Sequence, residues 1–123
     1  MSPKKYTKDH EWVKLEGNIA TVGVTDFAQS ELGDIVYVEV DTIDETLDKD
    51  EVFGTVEAVK TVSDLFLPMS GKIVEFNESL SDSPESINDS PYDDGWIIKV
   101  EVSNPDEINQ LLNNKDYSDL IGK

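Results

Sequence analysis

The chain of 123 residues contains no cysteine. Disulfide bonds, thiolate metal sites and cysteine nucleophiles are therefore excluded. If the protein takes part in sulfur redox chemistry, the sulfur atoms have to come from a cofactor.

Basic residues are also few, 10 against 27 acidic ones, which gives a formal net charge of −17. A surface this anionic repels phosphate backbones, so nucleic acid is not an expected partner. The charge is explained either by solubility alone or by steering toward partners with basic docking surfaces, and composition does not separate the two.

No apolar run approaches the ~18 residues that would suggest a membrane-spanning helix, so we expect no membrane partner. Residues 1–5 lack the apolar region of a secretory signal, and no transit peptide is visible. With 37% apolar residues, the chain is long enough to bury a core, and we expect one domain over residues 1–123. A bacterial cytoplasm is the favoured location, although a processed mitochondrial matrix protein would look much the same.

The residues for catalysis and metal binding are scarce. His10 is the only histidine, and one histidine without cysteine cannot form an ordinary zinc site, so we expect a packed or surface residue. No G-x-S-x-G, G-x-G-x-x-G or Walker-type motif is present. The acidic segment 41–51 lacks the glycine and terminal glutamate of an EF-hand, which favours a solvated loop. We therefore expect no catalytic residue and no metal site.

Most of the chain has the pattern of β-strands. The predicted elements are two strands joined by a turn at 16–18, a short helix with Thr25 as N-cap and Gly33 at its end, a strand over 34–40, a loop over 41–50 with Ile43 and Leu47 turned inward, a strand over 72–77, a long loop over 79–94, a strand over 95–102, a helix from Pro105 to about residue 113 capped by Asn104, and a last short turn capped by Asp116.

Residues 53–71 read F-G-T-V-E-A-V-K-T-V-S-D-L-F-L-P-M-S-G. Apolar or small residues occupy alternate positions, as in a half-buried strand; they are Val52, Gly54, Val56, Ala58 and Val62. The run closes on Pro68, Ser70 and Gly71, which indicate a turn. This pattern predicts a hairpin that holds Lys60 at its tip.

Lys60 has three possible roles: an ordinary surface lysine, a Schiff-base lysine or an attachment point. A Schiff-base lysine has to be neutral, whereas carboxylates such as Glu57 and Asp64 favour the charged form of a nearby amine. An exposed tip with carboxylates beside it therefore fits an attachment point better than a Schiff base.

Five segments resemble the glycine cleavage H-protein family. They are Y-T-K-D-H-E-W-V at 6–13, V-G-V-T-D-F-A-Q at 22–29, L-G-D-I-V-Y-V-E at 32–39, E-A-V-K-T-V-S-D-L with P-M-S-G at 57–71, and S-P-Y-D-D-G-W-I-I-K at 90–99. Their order and spacing extend the resemblance over nearly the whole chain.

The resemblance implies a mostly β fold, a barrel-sandwich hybrid of two antiparallel sheets with short helices and a C-terminal helix. It implies lipoic acid in amide linkage on Lys60, attached by a lipoyl ligase or transferase. The protein would be a non-catalytic shuttle and a monomer. It would carry an aminomethyl group from glycine decarboxylase (P protein) to aminomethyltransferase (T protein), with reoxidation by dihydrolipoyl dehydrogenase (L protein).

The resemblance also implies supporting residues. Glu57 and Gly71 match positions that matter for lipoylation in the family, although Gly71 also fits a plain turn glycine. Glu11 and Asp64 match acidic positions near the loaded arm, and we expect them to hold its protonated amine in a surface cleft. Asp9 stands where some relatives have serine, so the cleft would differ in detail.

Three alternatives remain at this point. A lipoyl or biotinyl domain of another multienzyme complex would usually carry D-K-A or M-K-M, whereas this chain has Val59-Lys60-Thr61. An H-like protein that relays lipoyl groups to other enzymes would have the same attachment site. A structural acidic β domain would leave Lys60 unmodified.

Overall fold

The computed structural model describes residues 4–122, so the first three residues of the segment considered for targeting lie outside it. Nine strands and five helices are formed within this range. The strands are β1 Lys5–Tyr6, β2 Glu11–Glu16, β3 Ile19–Val24, β4 Ile35–Glu39, β5 Thr46–Leu47, β6 Val52–Ala58, β7 Val62–Phe66, β8 Gly71–Phe76 and β9 Ile98–Val102. The helices are α1 Asp26–Leu32, α2 Ser79–Asp82, α3 Ser86–Asp89, a 3-10 helix Pro105–Gln110 and α4 Asn114–Leu120.

The strands form two antiparallel sheets. The larger sheet has the order β1-β2-β3-β9-β8-β5, and the smaller one has the order β4-β6-β7. One apolar cluster contains buried residues of both sheets, such as Val22 and Ile73 from the larger and Val38 and Val56 from the smaller. Burial of these side chains is the main favourable term that holds the sheets together. The predicted arrangement of two antiparallel sheets with short helices is confirmed.

Local signals in the first third of the chain predict the structure well. Strands β2 and β3 meet at a turn in which Gly17 has a φ of 62°, a conformation that glycine adopts without steric cost. The side chain of Thr25 accepts a hydrogen bond from the amide of Ala28 and caps α1, while Gly33 ends the helix with a φ of 81°. The turn, the N-cap and the helix end were all predicted.

The acidic segment 41–50 differs from the prediction. Thr46 and Leu47 pair with β8, and Leu47 packs against the core as predicted, but Ile43 is exposed. The amide of Asp44 donates to the carbonyl of Ile73 across 2.7 Å, so the segment lies along the edge of the larger sheet instead of looping freely. The inward orientation predicted for Ile43 was wrong because this edge contact leaves its side chain on the outside.

The segment 79–94 was predicted as a loop, and this was wrong. It contains the one-turn helices α2 and α3, each with one buried side chain, Leu80 and Ile87. These isolated apolar residues among serines and aspartates were the available sequence signal. Burial of each residue fixes a turn of helix that local propensity alone would not hold.

The helix predicted from Pro105 to about residue 113 was partly wrong. Asn104 does cap it, but it is a 3-10 helix that ends at Gln110. Leu112 forms two backbone hydrogen bonds with Tyr6 of β1, both 2.8 Å long, and this bridge interrupts the helix. The C-terminal helix α4 then begins after a new N-cap, Asn113, and not at Asp116 as predicted.

None of the helices in residues 4–122 combines the length and the apolar character needed to cross a membrane.

Candidate functional site

Lys60 lies at the tip of the β6–β7 hairpin, where it was predicted, and its side chain is exposed. The amide of Ala58 donates to the carbonyl of Thr61 across 2.7 Å and closes the turn. The amide of Val59 donates to the carbonyl of Asp34 across 3.0 Å, which ties the tip to the segment between α1 and β4. The tip is therefore held by backbone hydrogen bonds on two sides.

The hairpin follows the predicted alternation only in its middle. Val56 and Ala58 are buried, but Val52 and Val62 are 42% and 62% exposed. A β-bulge between Val52 and Gly54 turns the side chain of Val52 outward, so the predicted alternation of buried and exposed residues fails at this end of the strand. Val62 pairs with the exposed Glu57, which places both side chains on the outer face of the smaller sheet.

Asn88 of α3 binds the segment around Asp34, the residue that accepts a hydrogen bond from the hairpin tip. Its side-chain oxygen accepts from the amide of Ile35, and its nitrogen donates to the carbonyl of Gly33 and to Oε1 of Gln29, all at 2.9 Å. Asp34, which binds the tip, lies between two of these partners. Sequence reasoning missed Asn88 because it lies in the segment interpreted as a loop.

The side chain of Lys60 lies over the end of α1. A Cβ atom placed on Gly33 would be 3.6 Å from Cε of Lys60, which is ordinary van der Waals contact. Leu32, the preceding residue, lines a small cleft between α1 and β7. A group attached to Nζ of Lys60 would therefore begin at one end of this cleft.

The cleft has a volume of about 150 Å³, and both Glu11 and Asp64 line it. Its lining combines acidic and apolar side chains, and the residues are Asp9, His10, Glu11, Val24, Ala28, Glu31, Leu32, Val56, Ser63, Asp64 and Leu65. Sequence reasoning missed Glu31 and the apolar residues, since their proximity depends on how α1 packs beside β7. The lining suits a short chain that is apolar along its length and cationic at one end.

Glu11 is the buried carboxylate of this cleft, with 2% of its surface exposed. Its Oε1 accepts a hydrogen bond from Thr7 at 2.7 Å, and its Oε2 accepts one from the amide of Phe66 at 3.1 Å. Burial raises the pKa of Glu11 from 4.5 to about 7, because the loss of solvation outweighs these two hydrogen bonds. A cation placed in the cleft would stabilise the ionised form.

His10, which was expected to be either packed or on the surface, is packed and also lines the cleft. Its Nδ1 lies 2.8 Å from the hydroxyl of Tyr117, and its ring packs against Phe27. The Tyr117 hydroxyl is also 2.7 Å from Oγ1 of Thr25, so it joins the N-cap of α1 to α4. Burial lowers the pKa of His10, which favours the neutral ring at neutral pH.

Gly71 is the first residue of β8 and not part of the preceding turn, so the interpretation as a turn glycine was wrong. A Cβ atom at this position would overlap the carbonyl oxygen of Glu101 and lie 2.7 Å from Cγ1 of Val100, both in β9. The need for glycine comes from this close approach of two strands. Gly71 belongs to the larger sheet, whereas Lys60, Glu57 and Asp64 belong to the β6–β7 hairpin of the smaller one.

Within residues 4–122, no group of three or more histidine, aspartate or glutamate side chains has the arrangement of a metal site.

Comparison with known proteins gives one consistent family. The model of the family described as glycine cleavage H-protein matches residues 4–123. A glycine cleavage system H protein of Staphylococcus epidermidis strain ATCC 12228 is 55% identical over 119 residues, which is 97% of this chain and 94% of the relative. A second strain of that species, RP62A, has a homologue that is 54% identical over the same shares of both chains.

A solved structure agrees with these sequence matches. The crystal structure of a glycine cleavage system H protein from Mycobacterium marinum superimposes with a TM-score of 0.90 at 36% identity, covering 100% of this chain and 99% of the other. The barrel-sandwich hybrid expected from the sequence is thereby confirmed. The chain belongs to the glycine cleavage H-protein family, the lipoyl-carrying shuttle proteins of the glycine cleavage system.

Proposed function

We propose that Nζ of Lys60 is the atom that carries lipoic acid, in amide linkage. The observation that carries this proposal is an exposed lysine on a hairpin tip whose backbone is tied down on two sides. The lipoyl group supplies the pair of redox-active sulfur atoms that this cysteine-free chain lacks.

The other lysines of the described residues offer a useful comparison. Lys49 and Lys115 form ion pairs with Asp50 and Asp119. Nζ of Lys99 lies 5.1 Å from the ring centroid of Trp96. Within residues 4–122 Lys60 makes neither kind of contact, so its amine is open to an acylating enzyme. Other described lysines, such as Lys72, also lack these contacts, so the position of Lys60 at the hairpin tip is what distinguishes it.

Glu11 and Asp64 are proposed to receive the protonated amine of the aminomethyl-loaded arm in the cleft. Glu11 is buried and has its two oxygens held by Thr7 and Phe66, so it is oriented before any ligand arrives. Burial raises its pKa because the ionised carboxylate loses solvation, and groups with pKa values raised in this way are candidates for ligand contacts. A protonated amine in the cleft would favour the ionised form of Glu11.

Glu57 and Gly71 support lipoylation in different ways. Glu57 is exposed on the outer face of the smaller sheet, three residues before the acceptor lysine, where an enzyme that acylates Lys60 can contact it. Gly71 acts at a distance, by allowing β8 and β9 to approach closely. Its role is to hold the larger sheet in the geometry that packs against the hairpin.

The chain itself is a carrier and not an enzyme in this proposal. Residues 1–123 form a single lipoyl-carrier domain, which is supported by the main core cluster shared between the two sheets. Its partners are P protein, T protein and L protein of the glycine cleavage system, together with a lipoyl ligase or transferase. The carrier works as a monomer in the bacterial cytoplasm, and its acidic surface suits partners with basic docking surfaces.

The test is the intact mass of the protein expressed in a host that makes lipoic acid. A lipoyl increment is expected in the wild type and in Lys72→Arg, an exposed lysine on β8, and it should be absent from Lys60→Arg. An increment that persists in Lys60→Arg would refute the site. An increment of biotin size would instead indicate a carboxylase domain.

A kinetic assay separates the shuttle from a relay of lipoyl groups. The lipoylated protein is incubated with P protein, glycine and labelled bicarbonate, and exchange of the glycine carboxyl group is followed. Exchange that depends on Lys60 supports the shuttle, and its absence with a fully lipoylated protein would favour the relay.

A further inference from the structure

The hydroxyl group of Tyr117 connects the C-terminal helix α4 to the cleft. It lies 2.8 Å from Nδ1 of His10 and 2.7 Å from Oγ1 of Thr25. Tyr117 does not line the cleft itself but borders a separate cavity of about 200 Å³. The contact with His10 joins residues that are 107 positions apart in the chain, so no local pattern announces it.

The hydrogen atoms of these groups can be assigned because Thr25 is completely buried, with 0% of its surface exposed. A buried hydroxyl group needs an acceptor for its hydrogen. Oγ1 of Thr25 accepts a hydrogen bond from the amide of Ala28, and its only other side-chain partner within residues 4–122 is the Tyr117 hydroxyl. Thr25 therefore donates to Tyr117.

This assignment fixes the tautomer of His10. The Tyr117 oxygen receives the hydrogen of Thr25, so its own hydrogen is donated to Nδ1 of His10. Nδ1 is then an acceptor, and a neutral imidazole carries its single N–H on the other nitrogen, Nε2. Burial lowers the pKa of His10, which favours the neutral ring. The reverse direction, from His10 through Tyr117 to Thr25, would leave the Thr25 hydrogen without an acceptor.

Nε2 of His10 is accessible from outside the core. It has no hydrogen-bond partner in the described part of the chain, and none of the buried side-chain nitrogen or oxygen atoms there lacks one. His10 lines the cleft together with Glu11, and the cleft has a volume of only about 150 Å³. An amine bound to Glu11 would consequently lie close to the imidazole ring.

The backbone of His10 is held in an unusual conformation. Its φ of 70° lies in the left-handed region, which residues with a side chain adopt at some cost. Its amide donates to the carbonyl of Thr7 across 3.1 Å, and its carbonyl accepts from the amide of Thr25 across 3.0 Å. Such conformations persist where surrounding contacts impose them, and they concentrate at functional sites. The position of the ring is therefore fixed by the backbone as well as by Tyr117.

We propose that Tyr117 is a positioning residue for the cleft, which holds His10 as the Nε2–H tautomer so that neither ring nitrogen offers a free lone pair to the loaded amine. The proposal rests on the shuttle function and on binding of that amine beside Glu11. It gives α4 a function in retaining the aminomethyl group, in addition to its place in the fold. An N–H group at Nε2 cannot accept a proton, whereas a lone pair there would act as a base.

A base in the cleft would release the aminomethyl group. The carbon of this group is bound to sulfur and to an ammonium nitrogen, which has no free electron pair. A base that removes one proton frees that pair, which forms a carbon–nitrogen double bond as the carbon–sulfur bond breaks and its electrons stay on sulfur. Water converts the released iminium ion into formaldehyde and ammonium, and the thiolate takes up the proton that the base removed. The one-carbon unit is then lost before it reaches the next enzyme.

The tautomer can be measured directly because His10 is the only histidine of the chain. NMR spectra of unlipoylated protein with ¹⁵N-labelled histidine distinguish protonated from unprotonated ring nitrogens by their chemical shifts. At about pH 8, above the ordinary pKa of histidine, we expect the wild type to have an unprotonated Nδ1 and a protonated Nε2. In Tyr117→Phe both shifts should move toward those of a ring that exchanges between the two tautomers.

Tyr92→Phe is the matched control for this variant. The Tyr92 hydroxyl also binds α1, where it accepts from the amide of Asp26 across 3.0 Å, but it does not contact His10. Its removal therefore deletes one tyrosine hydrogen bond of the same helix and should leave the histidine spectrum unchanged.

The second measurement is the half-life of the aminomethyl-loaded protein at the same pH. Tyr117→Phe should shorten it at least about threefold, a small part of what a positioned general base contributes, while Tyr92→Phe should decay like the wild type. The double variant His10→Asn/Tyr117→Phe should recover most of the lost half-life, because asparagine tolerates the positive φ and has no basic nitrogen. A merely structural loss in Tyr117→Phe would not be rescued in this way.

Several results would overturn the proposal. A wild-type His10 protonated at Nδ1 would contradict the assignment, and this measurement needs no variant. An unchanged tautomer in Tyr117→Phe, or an equal change in Tyr92→Phe, would remove Tyr117 from this role. A wild-type half-life in Tyr117→Phe, or no recovery in the double variant, would show that the tautomer does not protect the aminomethyl group. A wild-type protein that accepts no lipoyl group would refute the proposed function and this proposal with it, and intact mass reveals that failure before any decay is measured.

Discussion

The carboxylate of Glu11 accepts a hydrogen bond from the backbone amide of Phe66 across 3.1 Å, and this bond joins the two sheets. Glu11 begins β2 in the larger sheet, whereas Phe66 ends β7, an edge strand of the smaller one. An edge strand leaves backbone amides without a strand partner, and Glu11 satisfies one of them. Glu11 therefore lines the cleft on one side and also holds β7, the strand that lines the cleft on the other side.

The first prediction concerns the cost of burying Glu11. Its pKa is about 7 in the folded protein and 4.5 as an unperturbed group, so between these values the folded state binds more protons than the unfolded one. The free energy of unfolding should therefore fall as pH rises through this window, and the loss should be complete above it. Glu11→Gln removes the charge; its side-chain oxygen can still accept from the amide of Phe66, while its nitrogen replaces the oxygen that accepts from Thr7. The variant should escape this loss.

The expected difference between Glu11→Gln and the wild type is near zero below the window and about 3 kcal/mol in favour of the variant above it. Urea denaturation at a series of pH values on both sides of the window measures it. Glu39→Gln, an exposed carboxylate on β4, serves as control and should show no such dependence. A pH-independent difference for Glu11→Gln would contradict the buried-charge interpretation.

The second prediction concerns the same carboxylate as a ligand contact. In Glu11→Ala, the half-life of the aminomethyl-loaded protein should shorten by about tenfold, because a charged hydrogen bond of this kind contributes about 1.5–3 kcal/mol. The decay is measured after loading with P protein and glycine. Glu39→Ala lies outside the cleft and should decay like the wild type. An unchanged half-life in Glu11→Ala would remove Glu11 from the proposed amine site.

The third prediction tests whether Asn88 rigidifies the tip. Asn88→Ala removes three hydrogen bonds around the segment that accepts the amide of Val59. Hydrogen exchange of the Val59 amide should accelerate by more than the global loss of stability accounts for. Asn77→Ala is the matched control, because Asn77 also donates two side-chain hydrogen bonds, to the carbonyls of Asp94 and Trp96, but does not contact the tip segment. Equal acceleration in both variants would show that Asn88 acts only on global stability.

The fourth prediction concerns Gly71. Gly71→Ala should lower the free energy of unfolding by about 3 kcal/mol, at the upper end of the range for overpacking, because the added methyl group meets the backbone of β9. Lipoylation per folded molecule should stay at the wild-type level. Gly17→Asn is the control, since its turn conformation suits asparagine and a Cβ there meets nothing within 4 Å. A fully stable Gly71→Ala with impaired lipoylation would instead place Gly71 in the enzyme interface.

Local chemistry explains which parts of the fold could be predicted. Thr25 and Gly33 bound α1 through their own conformational preferences, and Gly17 fits its turn in the same way. The 3-10 helix shows that such local signals can predict where a helix begins without predicting where it ends. Asn104 and Pro105 start it as predicted, but its end depends on hydrogen bonds between Leu112 and Tyr6, which no local pattern contains.

The candidate site divides in the same way. Alternation in 54–58, followed by a lysine and a second apolar run, is enough to place Lys60 at a hairpin tip, because a strand, a turn and a returning strand are decided among neighbours in the chain. The cleft depends on Glu11 meeting Phe66, 55 residues away, and on α1 lying beside β7. The order of residues along the chain is thus sufficient to predict that one lysine is presented at a tip, and the absence of cysteine requires any redox-active sulfur to come from a cofactor. That a buried carboxylate lines the cleft alongside this hairpin follows from the tertiary fold, because burial of Glu11 requires both sheets to close over it.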